Sequence, residues 1–161
     1  IVVRTYWFAW SEIGSEPEKW NPTTRETADH SIPYLVSAAL LDGWVDAASY
    51  APARMHDPQL RALMAKVEVI YDKELDQYQP QSVPCRLEVR LKNGQRIASS
   101  IDHPLGHIRN PAGDKDIERK VAGLTAGLMS KRRVSKLLKL CWRLEELDDV
   151  SELVSTLRVT D

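Results

Sequence analysis

Residues 85–101, CRLEVRLKNGQRIASSI, decide the fold class of this chain. In their first half apolar and charged residues alternate: Leu87, Val89 and Leu91 are separated by Glu88 and Arg90. This alternation is typical of a strand with one packed and one solvated face. The Lys-Asn-Gly triplet at 92–94 is typical of a tight turn. The segment therefore predicts a β-hairpin with strands at 85–91 and 95–101.

Two upstream patterns predict a further strand and a buried helix. Residues 2–8 are β-branched and aromatic and predict a strand. Residues 32–43, IPYLVSAALLDG, are apolar nearly all round at helical spacing, which predicts a buried helix. Pro33 suits its first turn, where no backbone donor is needed, and Gly43 suits a left-handed end.

Shorter signals complete an α+β pattern. Asp46 is predicted to cap a short helix that ends at Tyr50, and Asp57 to cap a helix at 59–66. A strand is expected at 67–71, a Pro- and Gly-rich loop at 102–114, and helices at 114–128, 134–145 and 150–157. We expect a small mixed or antiparallel sheet with packed helices, in an α+β domain at 1–112. A C-terminal helical segment is expected at 113–161.

Composition excludes several classes of function. The 161 residues carry 22 basic and 23 acidic side chains, a net charge of -1, which argues against a nucleic-acid surface. The basic run at 131–139 is explained by an amphipathic helix with a solvated face. No apolar run approaches the roughly 20 residues of a membrane span. Cys85 and Cys141 lie too far apart in sequence to predict a zinc site or an iron–sulfur cluster, and they read as reduced, cytosolic thiols.

His30 is the first candidate for chemistry. It stands before the predicted buried helix, in a cluster with Arg25, Glu26, Asp29 and Tyr34. A helix N-terminus favours a bound carboxylate, and an imidazole there exchanges protons near neutral pH. Two interpretations stay open from the residues alone. Either His30 is an acid–base group, or it caps the helix or hydrogen-bonds to Asp29.

Two other candidates carry similar alternatives. His107 and Arg109 lie in the Gly-containing loop PLGHIRNP, which is either an acid-binding loop or a solvated turn after the hairpin. Tyr71 ends a predicted strand, as an edge residue or as a phenol that reaches into a cleft. His56 and His103 are expected to be structural or exposed. Nucleotide-loop, serine-hydrolase and zinc-protease motifs are absent from the sequence.

Several stretches resemble a known family. KWNPTTRETADHSIPYLVSAALLDG at 19–43 closely resembles the hallmark stretch of the MmgE/PrpD family, the 2-methylcitrate dehydratases and their relatives. HPLGHIRNP at 103–111 and ERKVAGL at 118–124 resemble that family's Gly-His loop and the helix after it. VRTYWFAW at 3–10 and LEELDDVSEL at 144–153 also resemble their counterparts, so the likeness covers essentially the whole chain.

The resemblance implies a cofactor-free lyase with no metal, commonly a homodimer, whose active site lies between a large helical domain and a smaller α+β lid. The family's reactions include dehydration of 2-methylcitrate, in propionate catabolism, decarboxylation of cis-aconitate and epimerisation of iminodisuccinate. All of them move a proton next to a carboxylate. The resemblance implies that His30 is the lid-side catalytic histidine, that Tyr71 is a second catalytic residue, and that Arg25 is a cation near the substrate.

One departure from the family is large. Its chains are much longer, and their N-terminal helical part supplies further acids, bases and a lysine, whereas this sequence resembles the lid and the return into the helical domain. The first residue is Ile1 rather than Met, so we expect truncation, processing or a further upstream segment. The expected partners are a tricarboxylate substrate and that helical half, in the cytoplasm or, in a eukaryote, the mitochondrial matrix. A non-catalytic remnant or partner-binding subunit is the alternative.

Overall fold

The computed structural model describes residues 1–158, and the chain divides into two compact units, Ile1–Pro111 and Ala112–Asp161. The first unit contains a four-stranded mixed sheet in the order β2-β1-β3-β4. Its strands are β1 (Val2–Thr5), β2 (Glu68–Tyr71), β3 (Cys85–Arg90) and β4 (Arg96–Ile101). β2 runs parallel to β1, and β3 runs antiparallel to both β1 and β4. The predicted hairpin and the α+β class are confirmed.

The predicted first strand is too long. β1 ends at Thr5, and helix α1 (Trp7–Ile13) begins two residues later. The backbone N–H of Trp7 donates to Asp76 Oδ1 at 2.8 Å, so a distant carboxylate satisfies a free donor of the first helical turn. Tertiary contacts thus override the strand preference of the aromatic residues. The helix ends at Gly14, where an added Cβ would lie 2.7 Å from Val69 Cγ1.

The long helix α3 (Ile32–Asp42) is confirmed with both of its predicted ends. Ser31 caps it, Pro33 lies in its first turn, and Gly43 ends it at φ +75°. Its expected burial all round is wrong in the second half, where Leu40 is exposed. α3 joins two hydrophobic clusters of the unit. The helical cluster contains Ala28, Tyr34, Ala38, Met55, Leu60 and Met64, and the sheet cluster contains Val3, Ile32, Val67 and Val69.

Three shorter helices surround α3. These are α2 (Arg25–Asp29), α4 (Pro52–Met55) and α5 (Pro58–Met64). The caps predicted at Asp46, for a 3₁₀ helix at Ala47–Tyr50, and at Asp57, for α5, are confirmed. α2 was not predicted, although Thr24 and Thr27 form a reciprocal capping box at its start. The five residues of α2 are too few to show a helical period in the sequence.

The second unit contains α6 (Asp114–Thr125), α7 (Lys131–Cys141) and α8 (Ser151–Leu157). α6 stops earlier than predicted, ahead of Gly127 at φ +77°. α7 starts earlier than predicted, because the Ser130 side chain accepts the N–H of Arg133 and caps it. Its basic side chains bind α8: Arg133 Nε donates to the Thr156 carbonyl at 2.8 Å, and Lys136 pairs with Glu152 at 3.0 Å. Among the described residues, no helix is long and apolar enough to cross a membrane.

Candidate functional site

His30 lies at the junction between α2 and α3. It is the C-terminal cap of α2 and directly precedes Ser31, the cap of α3. Its Nδ1 lies 2.5 Å from Asp29 Oδ1 and 3.0 Å from the Glu26 carbonyl oxygen. Both partners are acceptors, so Nδ1 carries the proton and the neutral ring has its lone pair on Nε2. The junction therefore holds an imidazole with a free basic nitrogen.

The surroundings of His30 favour its protonated form. The hydrogen bond to Asp29 is the largest cause that raises the pKa of His30 above its usual 6.5, followed by the Glu26 carbonyl. The side chain is 65% exposed, so Nε2 is accessible from outside this unit. An oriented carboxylate–imidazole pair of this kind can accept a proton and stabilise the imidazolium that results.

Arg25 is the first residue of α2, at the end of the helix opposite His30. Its guanidinium carbon lies 5.8 Å from the centroid of the Tyr50 ring, within the range of a cation–π contact. The Tyr50 ring in turn stacks on Tyr34, with centroids 6.2 Å apart. Burial raises the pKa of Tyr50, the charge of Asp29 raises it further, and the charge of Arg25 lowers it. Arg25 therefore presents its positive charge to the face of the Tyr50 ring.

The expected open N-terminus of α3 is instead filled by the chain itself. The Ser31 hydroxyl accepts the N–H of Tyr34 and donates to the Lys19 carbonyl at 2.5 Å, and Ser31 is fully buried. Tyr34, expected in the site cluster, is buried as well, and its hydroxyl donates to the Ser49 carbonyl. This helix end therefore positions His30 but does not itself offer a place for a carboxylate.

Tyr71 lies in a separate aromatic cluster. Its ring packs edge-on against Trp7 at 5.4 Å and near Trp10 at 6.0 Å. Its hydroxyl donates to Asp76 Oδ2 at 2.6 Å, and this hydrogen bond is the largest cause that raises the pKa of Tyr71. Asp76 accepts from Trp7 as well, which is the largest cause that lowers its own pKa. The phenol is half-buried and its proton is donated to Asp76, so its oxygen can only accept a hydrogen bond from another group.

His107 and Arg109 lie in the loop after β4. The Nδ1 atom of His107 accepts the backbone N–H of Arg109 at 3.1 Å, so the neutral ring carries its proton on Nε2. The ring stacks on His103 at 4.7 Å, and the side chain of Asn110 donates to the His103 carbonyl at 2.9 Å. His107 thus offers an N–H donor to an anion, beside the exposed Arg109.

The structure places Arg25 and His30 at the two ends of α2, and it holds Tyr71 and His107 in two other clusters. Sequence reasoning named one of the two carboxylates that bind these site residues and missed the other. Asp29 was named in the candidate cluster of His30 and as its possible hydrogen-bond partner, whereas Asp76 was not considered at all. The adjacency of Asp29 and His30 in the sequence signals the first pair, whereas Asp76 lies in a 3₁₀ helix, Lys73–Tyr78, that was not predicted.

A sequence model of the MmgE/PrpD C-terminal domain matches residues 1–144. The chain belongs to the MmgE/PrpD family. This match covers α2, α3 and the whole sheet, so the cluster around His30 and the clusters of Tyr71 and His107 all lie in the MmgE/PrpD C-terminal domain.

This MmgE/PrpD chain is similar in sequence to several known enzymes. Cis-aconitate decarboxylase from Homo sapiens is 32% identical over 143 residues, which are 85% of this chain and 28% of the relative. The 2-methylcitrate dehydratase-like protein of Aspergillus oryzae is 31% identical over 118 residues, 68% of this chain and 24% of the relative. For 2-methylcitrate dehydratase from Cupriavidus necator the identity is 34% over 97 residues, 57% of this chain and 19% of the relative. This chain therefore spans less than a third of the length of these relatives.

Proposed function

We propose that this chain is the lid-side, C-terminal part of a cofactor-independent hydro-lyase that dehydrates 2-methylcitrate or a related tricarboxylate. The observation that carries the proposal is the Asp29–His30 pair, with Nδ1 held by two acceptors and Nε2 accessible. The relatives named 2-methylcitrate dehydratase support the reaction.

The proposed step is an acid–base elimination. His30 Nε2 removes the proton from the carbon next to a carboxylate, the electron pair forms a carbon–carbon double bond, and hydroxide leaves with a proton as water. Asp29 stabilises the imidazolium at a distance of 2.5 Å. Negative charge builds on the substrate carboxylate during proton removal, so cations and donors aimed at it lower the barrier. We assign that role to Arg25, and to His107 and Arg109 for the remaining carboxylates. The Tyr71 hydroxyl, which donates to Asp76, would accept a hydrogen bond from the substrate.

A second reaction is decarboxylation of cis-aconitate. It is favoured by the relatives of that name, because those from Homo sapiens and Mus musculus each match 85% of this chain. In that reaction the bond to carbon dioxide breaks and a carbon atom takes up a proton. His30 would act as the acid, for which its raised pKa is suited.

The remaining parts of the enzyme are proposed from the same family relationship. We infer that the N-terminal helical half supplies the other acid and base, that the enzyme is a homodimer, and that it works in the cytoplasm or, in a eukaryote, in the mitochondrial matrix. A relative from Yarrowia lipolytica is named a mitochondrial 2-methylcitrate dehydratase. On this account the 161 residues alone are inactive.

The test is an assay of the whole enzyme, meaning the helical half together with these 161 residues, on 2-methylcitrate, citrate, cis-aconitate and iminodisuccinate. We expect loss of water from 2-methylcitrate, and a loss of turnover of about 10²–10⁴-fold in His30→Ala. The control is His56→Ala, because His56 is likewise an exposed C-terminal cap of a short helix, α4. Release of carbon dioxide from cis-aconitate, with no reaction on 2-methylcitrate, would select the second reaction. Wild-type turnover in His30→Ala would refute both.

A further inference from the structure

Asp76 accepts two hydrogen bonds, one with each oxygen of its carboxylate. Oδ2 accepts the proton of the Tyr71 hydroxyl at 2.6 Å, and Oδ1 accepts the backbone N–H of Trp7 at 2.8 Å. The two donors come from different elements, because Tyr71 ends β2 and Trp7 begins α1. Both distances are in the range of hydrogen bonds to an ionised group. One carboxylate therefore holds the phenol and the start of α1 together.

This arrangement requires an acceptor at both ends of the side chain. An ionised carboxylate has only acceptor oxygens, whereas the amide of Asn has one oxygen that accepts and one nitrogen that donates. The Trp7 N–H can only donate, but the Tyr71 hydroxyl can donate or accept. In Asp76→Asn the amide oxygen would therefore stay with Trp7, and the amide nitrogen would donate to the phenol oxygen. The carboxylate at residue 76 thus determines where the Tyr71 proton points.

The direction of that proton determines which substrate group Tyr71 can bind. While Asp76 holds the proton, the phenol oxygen offers only lone pairs to other groups. The carboxylates of a tricarboxylate are acceptors as well and repel it, whereas an alcohol hydroxyl can donate to it. The pair borders open surface, because the Trp7 ring that packs edge-on against Tyr71 is 53% exposed. These contacts match a subsite for a hydroxyl group.

We propose that Asp76 is a positioning residue that makes Tyr71 the acceptor for the hydroxyl of a hydroxytricarboxylate. The inference rests on the proposed function, in which this hydroxyl leaves as water. When the leaving oxygen takes up a proton, its O–H bonds become stronger donors, so Tyr71 binds the departing water more tightly than the original hydroxyl. An interaction that strengthens toward the transition state raises kcat. Cis-aconitate has no hydroxyl and gains nothing from this subsite.

The direction of the Tyr71 proton can be tested in the 161-residue chain without turnover. The hydrogen bond to Asp76 is the largest cause that raises the pKa of Tyr71. In Asp76→Asn the amide would donate to the phenolate instead, so the pKa of Tyr71 should fall. NMR titration of the chain with ¹³Cζ-labelled tyrosine measures this pKa, and Tyr71→Phe identifies the signal. The matched control is Asp72→Asn, because Asp72 caps the same 3₁₀ helix through the Glu74 N–H, and this change should leave most of the raise in place.

The hydroxyl subsite is tested by binding in the whole enzyme. Citrate is compared with tricarballylate, which is citrate without its hydroxyl, by calorimetric titration in a His30→Ala background that stops the proposed turnover. Citrate should bind at least about tenfold more tightly, because a site built to pair a hydroxyl discriminates against the analogue that lacks it. Asp76→Asn should bring this ratio close to one. In a Tyr71→Phe background the ratio should already be close to one, and Asp76→Asn should not change it further.

A purely structural role of Asp76 gives a different result. Loss of the bond to Trp7 would weaken binding of both acids alike, so an unchanged ratio in Asp76→Asn would overturn the proposal. So would an unchanged pKa of Tyr71 in that variant. Circular dichroism checks the folding of each variant, and Tyr71→Phe, which keeps the ring, decides the question if Asp76→Asn does not fold: there too the ratio must fall. Failure of the proposed lyase is distinct, since it appears as no loss of water from 2-methylcitrate while the binding ratio persists.

Discussion

The α2–α3 junction (residues 24–34) and the Gly-His loop (residues 103–111) each present a histidine, and they present it in opposite ways. At the junction, two acceptors hold the proton of His30 on Nδ1, so Nε2 is a base. In the loop, the N–H of Arg109 donates to His107 Nδ1, so Nε2 of the neutral ring is a donor. Neighbouring groups, and not the residue type, thus assign one imidazole to proton removal and the other to anion binding.

The two regions also differ in how they are anchored. The junction is fixed to the core through Ala28 and Tyr34, both fully buried. The Gly-His loop is held by its own short bonds: Gly106 N–H donates to the Asn110 carbonyl, and Asn110 N–H donates to the His107 carbonyl, each at 2.8 Å. Ile108 at its tip is 90% exposed. A catalytic base needs the more rigid support, whereas a loop that binds substrate can close over it.

The largest expected effect separates the two histidines by kinetics. In the whole enzyme, His30→Gln should lower kcat by about 10²–10⁴-fold, because an amide does not accept a proton near neutral pH. His107→Gln keeps an N–H donor, so it should change KM more than kcat, and by less than about tenfold. Steady-state kinetics of both variants provide the measurement. Equal losses of kcat in both would remove the distinction between a base and a donor.

The anchoring of the junction is tested by Tyr34→Phe. This change leaves the Ser49 carbonyl without its donor in a buried place, so the free energy of unfolding should fall by about 1–3 kcal/mol. Tyr78→Phe, at an exposed ring, is the matched control and should leave it unchanged. Urea denaturation of the chain measures both. An unchanged midpoint in Tyr34→Phe would show that the junction does not depend on this anchor.

The orienting carboxylate is tested by Asp29→Asn. Removing the charge lowers the pKa of His30, so the acidic limb of the kcat/KM profile should move to lower pH. The sign for stability follows from the same shift. Because the folded pKa is raised, the pair stabilises the wild type below about pH 6.5, and this contribution disappears as pH rises through the folded pKa. If both profiles keep their wild-type position in the variant, Asp29 does not tune His30.

The smallest effect is expected in the loop. Asn110→Ala removes the side-chain bond to the His103 carbonyl, so amide hydrogen exchange at 103–110 should accelerate while exchange in α3 stays the same. The free energy of unfolding should change by less than about 0.5 kcal/mol, as is usual for a surface loop away from the core. Slowed exchange in the loop, or faster exchange in α3, would contradict the independent anchoring of the two regions.

Patterns that depend on neighbours in sequence were predictable in this chain. The hairpin follows from strict alternation, and α3 follows from Pro33, Gly43 and an apolar run between them. The caps at Asp46 and Asp57 follow from local hydrogen bonding. His30 and Arg25 were identified together because they lie five positions apart in the sequence. Arg25 proves to be the first residue of a short helix, α2, and His30 its C-terminal cap.

Features that depend on distant partners were not predictable. The end of β1 at Thr5 depends on Asp76, which lies more than seventy positions away and satisfies the first donor of α1. The same carboxylate accepts a hydrogen bond from the Tyr71 hydroxyl, so the hydrogen bonding of that phenol could not be predicted from residue 71 alone. The filled N-terminus of α3 depends on the Lys19 carbonyl, which no local pattern connects with Ser31.

The most direct test of the account is a long-range ¹H–¹⁵N NMR titration of the histidine rings in this chain. We expect His30 to be the Nδ1–H tautomer when neutral, with its pKa raised above 6.5, and His107 to be the Nε2–H tautomer in the same sample. An Nε2–H tautomer at His30 would contradict it, because the nitrogen assigned to remove the substrate proton would then already carry one.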